Sequence, residues 1–186
     1  MKVGVTGHRI LMDIEKINAG IKQALREIIV ASGGSVPTVL TALAEGADRL
    51  VAEAALDIPG SRIVAVIPFE LADYVTDFGA EGSGSRKEFD RLLKKADEVV
   101  RLPSAPTRKE GYENGGNYVV DNCDVLIAVW DGEGAQGQGG TGEIVARARS
   151  QGKPVVIVRA GNRKPGTLEP TTLGDEQGRV IVEGLE

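Results

Sequence analysis

The sequence predicts an α/β fold: a three-layer sandwich of Rossmann-like plan, built on a mostly parallel sheet. Two observations carry this. Short apolar runs recur along the chain, each cut off by glycine or proline, and they are apolar enough for burial on both faces. Between them lie longer stretches with apolar residues at helical spacing. Alternation of this kind implies right-handed βαβ units.

The elements follow in order. Lys2 to Thr6 is an apolar run ending at Gly7 and reads as a buried first strand. From Asp13 to Ala31, apolar residues Ile14, Ile17, Ile21, Leu25, Ile28 and Ile29 fall on a helical stripe, which Gly33-Gly34 ends. Val39 to Leu43 is the second strand. A helix from Gly46 to Leu56 stops at Pro59-Gly60, and Arg62 to Ile67 is a third strand cut off by Pro68. Phe69 to Arg86 reads as a short helix plus a mobile loop; its glycine-rich part, 79–85, has the composition of a lid. Lys87 to Lys95 is a helix and Glu98 to Leu102 a fourth strand. Arg108 to Cys123 reads as loop then helix, interrupted at Gly115-Gly116. Asp124 to Trp130 is the strongest strand signal of the chain. A glycine-rich loop, 132–140, leads to a helix from Thr141 to Ser150, and Pro154 to Val158 is a sixth strand. Residues 159–178 are polar and turn-rich, a surface excursion or partner-binding arm, and Arg179 to Val182 is a candidate edge strand. The expected strand order is 4-3-2-1-5-6 with that edge strand added, all in one domain spanning 1–186.

Composition narrows the function. The chain has 186 residues and 41% hydrophobic content, as in a globular domain with a sizeable core. A net charge of -5 and an aromatic content of 4% speak against general nucleic-acid binding. Cys123 is alone, so no intrachain disulfide is expected, and no Cys/His cluster suggests a metal. The opening MKVGVTGHR shows no signal-peptide pattern, and no apolar run approaches the ~20 residues of a membrane span. These features fit a cytoplasmic protein with neither metal nor cofactor.

Ligands of open α/β sheets bind beyond the carboxyl ends of the strands, where strand order reverses. Three such ends carry unusual residues. After the fifth strand, Gly139-Gly140-Thr141-Gly142 enters a helix directly; small residues allow close backbone approach, and free amides at a helix start suit a phosphate. The plainer reading is a turn with Thr141 as N-cap. After the first strand, Thr6-Gly7-His8-Arg9 offers a hydroxyl, an imidazole and a guanidinium. A structural histidine and a surface ion pair are the alternatives. After the second, Glu45, Gly46 and Asp48 open a helix, either as favourable charge at its N-terminus or as readers of a ribose hydroxyl, with Arg49 as a partner for either acid. Asp131 sits at the same crevice. Asp131 and Glu143 are the candidate catalytic acids if the protein cleaves a glycosidic bond. Trp130 suits either base stacking or core packing.

The segments VGVTGHR, AEGADRLVAEAA, VIPF, NYVVDNCDVLIAVWDG and GQGGTGEIVARAR resemble, in order and spacing, the SLOG superfamily. That group takes in the Smf/DprA Rossmann domain, the LOG phosphoribohydrolases and small YpsA-like proteins. The resemblance covers residues 2 to 159. It implies a Rossmann-like sheet that binds a nucleotide-type small molecule, in a homo-oligomer of at least two chains. Some members cleave an N-glycosidic bond; others are sensors or scaffolds. LOG enzymes carry a PGGxGTxxE loop. Here Trp130-Asp131-Gly132 and a longer loop stand in its place, and Ile144 lies three residues after Thr141. Thr6-Gly7-His8-Arg9 is closer to the small YpsA-like members. The leading expectation is a nucleotide-binding sensor module. The alternatives are a LOG-like phosphoribohydrolase and an oligomeric scaffold with a vestigial pocket.

Overall fold

The computed structural model describes residues 1–134 and 140–185. A seven-stranded sheet runs in the order β4-β3-β2-β1-β5-β6-β7. Its strands are β1 (Lys2–Gly7), β2 (Thr38–Thr41), β3 (Arg62–Ile67), β4 (Glu98–Arg101), β5 (Val125–Trp130), β6 (Val155–Arg159) and β7 (Val180–Glu183). All neighbours are parallel except β6 and β7, which pair antiparallel. The sandwich and the strand order are those the sequence predicts, with the edge strand in place.

The helices are α1 (Ile14–Ala31), α2 (Ala47–Leu56), α3 (Leu71–Tyr74), α4 (Gly84–Lys95), α5 (Arg108–Asn122) and α6 (Thr141–Ser150). Strand alternation sorts the core. Val125, Ile127 and Val129 of β5 join Val3 and Val5 of β1 in a cluster under α1, α2 and α4. Leu126, Ala128 and Trp130 join the other cluster, under α5 and α6, so Trp130 packs in the core. The stripe that predicted α1 is the buried one: Ile17, Ile21, Leu25 and Ile28 all face the sheet. Its end is a Schellman motif. Gly33 takes φ +68, its amide bonds to Val30, and the Gly34 amide reaches back to Ile29 at 2.8 Å.

Two local expectations change. The glycine pair at 115–116 does not interrupt α5, which is continuous for 15 residues from a capping box between Thr107 and Glu110. Its glycines serve packing instead. A Cβ at Gly111 would overlap the Phe69 ring, one at Gly115 would press on Pro68, and one at Gly116 would overlap Ile144. The helix lies too close to β3 and α6 for side chains there. Second, α4 begins at Gly84 rather than Lys87, because Ser83 caps it by accepting from the Arg86 amide at 3.2 Å. Half of the expected lid is therefore a turn locked onto a helix, with the Ser83 hydroxyl also donating to the Phe78 carbonyl at 2.8 Å.

Among the described residues, no helix is long and apolar enough to cross a membrane.

Candidate functional site

The strand order places the tips of β1 and β5 side by side: Thr6 pairs with Ala128 and Gly7 with Val129. The His8 amide continues the ladder by bonding to the Val129 carbonyl at 3.0 Å. Gly7 is required here, since a Cβ would overlap both Ala47 and the Val129 carbonyl oxygen. Above this junction opens a cleft of about 800 Å³. Thr6, Gly7, His8, Arg9, Glu45 and Asp131 line it, as do Gly140, Thr141 and Gly142. Gly139 lies outside the described residues.

His8 and Asp131 join the two tips. His8 Nε2 accepts from the Asp131 amide at 3.2 Å and lies 3.2 Å from Asp131 Oδ2. The other carboxylate oxygen accepts from the Glu133 amide at 3.0 Å, an Asx turn that shapes the start of the glycine-rich loop. Burial holds the His8 imidazole below its usual pKa, with the Asp131 charge and hydrogen bond opposing. Arg159, at the end of β6, donates to the Asp131 carbonyl, and Gly132 at φ +82 leaves room for that guanidinium.

The mouth of α2 is built differently. Gly46 and Asp48 are not part of the cleft lining. Gly46 takes φ +77 where any Cβ would overlap the His8 and Arg9 carbonyls, so it brings α2 against the β1 tip. The Ala47 amide then donates to the His8 carbonyl at 3.1 Å. Asp48 is buried. Its carboxylate accepts from the Ala44 amide at 3.4 Å, and burial raises its pKa to about 6 against hydrogen bonds from Thr41, Ala44 and Ala42. The preceding loop is strained: Leu43 sits at φ +57, fixed by its amide bond to the Thr41 hydroxyl and by Arg49 Nε donating to its carbonyl at 3.1 Å. Arg49 pairs with neither Glu45 nor Asp48. It crosses to α4, where Nη1 meets Glu88 at 2.8 Å and Ser85 at 3.1 Å. Glu45 remains at the cleft, held by the Ser85 hydroxyl.

Arg9 reaches over this wall. Its guanidinium lies 3.6 Å from Glu45 and 3.9 Å from Asp77, loose contacts at a partly exposed side chain. Asp77 is already bound by Arg108 and by the Tyr112 hydroxyl. Tyr74 anchors the same corner from below, donating to the Ala42 carbonyl at 2.9 Å.

The third wall is the start of α6. Gly140 is its N-cap, not Thr141, and among the described residues no side chain caps it. The contrast with α4 and α5 is direct, since both of those supply their own cap. Glu143 lies in the first turn of α6 but not in the cleft lining.

Residues 160–178 close the fourth side, a role the sequence did not suggest. Lys164-Pro165-Gly166-Thr167 is a turn with Gly166 at φ +74, in a small hairpin where Arg163 bridges Pro170. Buried Gln177 holds the segment down. Its Oε1 accepts from the Gly161 and Leu173 amides at 2.9 and 3.1 Å, and its Nε2 donates to the Met12 carbonyl at 2.8 Å. Asn162, Arg163, Gly166 and Leu168 thereby face the cleft. The signal was available: β6 is parallel to β5 and beside it, so the chain leaving β6 emerges at the same sheet edge. Among the described residues, no group of three or more His, Cys, Asp or Glu is arranged to hold a metal.

No protein-family model and no curated protein sequence matches the chain. Among solved structures, DNA processing protein A (DprA) from Streptococcus pneumoniae is similar at 18% identity and a TM-score of 0.50, over 83% of this chain and 48% of that one. The chain thus spans about half the length of that protein. The structural-genomics target TM1055 is similar at 17% identity and a TM-score of 0.48, over 83% of this chain and 71% of its own. The likeness to DprA shows a shared Rossmann-like fold.

Proposed function

We propose that this Rossmann-like chain is a member of the SLOG superfamily that binds a nucleotide or nucleotide-derived phosphate ligand in the cleft, as a sensor module. One observation carries the reading: Arg9, Arg163 and the first turn of α6, uncapped among the described residues, converge on one cleft at the β1–β5 junction. Amides at a helix start and guanidinium groups are the donors a phosphate needs. The acids have a separate use. Glu45 and Asp131 line the same cleft and would accept from sugar hydroxyls, so the lining suits a sugar phosphate better than a bare anion.

The same reading makes the protein cytoplasmic and homo-oligomeric. It does not extend to DNA. A net charge of -5 opposes binding to a polyanion, and the chain spans only about half of DNA processing protein A. Hydrolysis of an N-glycosidic bond would call on Asp131 and Glu143, of which only Asp131 lines the cleft.

Incubation with a panel of nucleoside monophosphates tests this. Protection against thermal unfolding without release of free base is the expected result. Free base appearing with time would make the protein a hydrolase instead, and neither effect with any nucleotide would overturn the reading.

A further inference from the structure

At one end of the sheet, β7 has β6 on one side and, among the described residues, no strand on the other. Its backbone register fixes what that free edge offers. Ile157 pairs with Ile181 and Val155 with Glu183, and the Arg159 amide bonds to the Arg179 carbonyl at 2.8 Å. In an antiparallel ladder, alternate residues turn their N–H and C=O toward the neighbour. Residues 179, 181 and 183 therefore face β6, and Val180 and Val182 present theirs outward. Ile181 and Val182 are 37% and 39% exposed.

The strand reads Arg179-Val180-Ile181-Val182-Glu183, with its charges inverted about the centre. A second copy laid antiparallel across a twofold axis at Ile181 sets Arg179 against Glu183 of that copy, and Glu183 against its Arg179. Val180 then meets Val182 of the second copy, each such pair exchanging both backbone bonds through the outward groups. The two Ile181 side chains meet at the axis, as a close β-branched pair. A register shifted by two residues in either direction sets one charge of each strand, Arg179 or Glu183, against Ile181, and a parallel arrangement puts the like-charged ends side by side.

The opposite edge makes the contrast. There β4 reads Glu98-Val99-Val100-Arg101, also charge-inverted, but its centre falls between two residues. Antiparallel self-pairing about that point would oppose an outward-facing residue with an inward-facing one, which the ladder cannot close. Only the β7 pattern can be realised by the backbone.

We propose that the free edge of β7 is a homodimer interface, joining two copies into one continuous sheet. The in-chain partners of the charged residues, Glu176 for Arg179 and Arg149 for Glu183, lie at the surface and can remain in place beside the facing copy.

Sedimentation or light scattering across a concentration series tests this on the whole chain, alone and as charge variants. Wild type dimerises. Arg179→Glu and Glu183→Arg each oppose like charges and weaken self-association by roughly tenfold or more. An equimolar mixture of the two regains the dimer, because the strand of one variant then carries an acid at both ends and the strand facing it a base at both ends. Thermal melting reports whether each variant is folded. Should the charge variants fail to fold, Val182→Pro removes only an outward donor, which an edge strand tolerates, and it is expected to be folded and monomeric. A monomeric wild type, single variants or Val182→Pro that dimerise like wild type, or a mixture no stronger than its components would overturn the proposal.

Discussion

His8 Nε2 lies 3.2 Å from both the backbone nitrogen and the Oδ2 of Asp131, and it can serve only one of them at a time. As an unprotonated nitrogen it accepts from the amide. Once protonated it donates to the carboxylate and leaves the amide without its acceptor. The tips of β1 and β5 are thus coupled through a group that titrates.

The pH dependence has a definite sign. The folded-state pKa of His8 is lowered by burial from 6.5, so the unfolded chain takes up the proton first. Stability should fall as pH drops below about 6.5 and stop falling from this cause once the folded-state pKa is passed. Urea unfolding of wild type and His8→Gln at a series of pH values checks this. The variant should lose that part of the slope.

Asp48 works in the opposite direction. Its pKa is raised from 3.8 to about 6, so the folded state keeps a proton that the unfolded chain has lost. The resulting stabilisation is fully present below 3.8 and lost as pH rises through about 6, a swing of about 3 kcal/mol. Asp48→Asn should flatten this window. A wild-type stability profile unchanged by the substitution would show that the carboxyl is not held as described.

Gly20 is expected to resist a change that helix propensity favours. Alanine is a better helix former by about 1 kcal/mol. Yet a Cβ on this residue of α1 would overlap the Gly178 carbonyl, backbone that cannot rotate away. Gly20→Ala should therefore destabilise by about 1–3 kcal/mol, as measured by denaturant unfolding.

Arg9→Ala and Arg163→Ala should each weaken a nucleoside monophosphate by about tenfold or more, the scale of one charged hydrogen bond, and leave the parent nucleoside nearly unaffected. Titration calorimetry with the two ligands separates these effects. Equal losses for both would move the phosphate elsewhere in the cleft.

The fold was legible because its signals are local and repeated. β5 is apolar at every position, which made it the strongest strand signal of the sequence. The α5 glycines misled for a physical reason: glycine in a helix signals a break from sequence alone, and only the nearness of Phe69, Pro68 and Ile144 shows it to be a contact. At the site, Thr6 to Arg9, Glu45 and Gly140 to Gly142 came together because parallel strands end at one edge. Gly46 and Asp48 follow Glu45 into the start of α2, which turns into the protein. Arg163 was missed because its segment carries turn residues and no periodicity, and its position depends on a buried glutamine, Gln177, binding across the chain.

A phosphate received at the start of α6, which is uncapped among the described residues, should be displaced by Gly140→Asp. Gly140 has φ -85, a conformation open to any residue, and aspartate is a favoured N-cap, so the fold should be retained or slightly stabilised. The new carboxylate would occupy the anion's place. Calorimetric titration with nucleoside monophosphates should show saturable binding to wild type that requires the phosphate and is lost in a folded Gly140→Asp variant. Binding that survives this substitution unchanged, or that is as strong without the phosphate, would show that no phosphate sits at the start of α6.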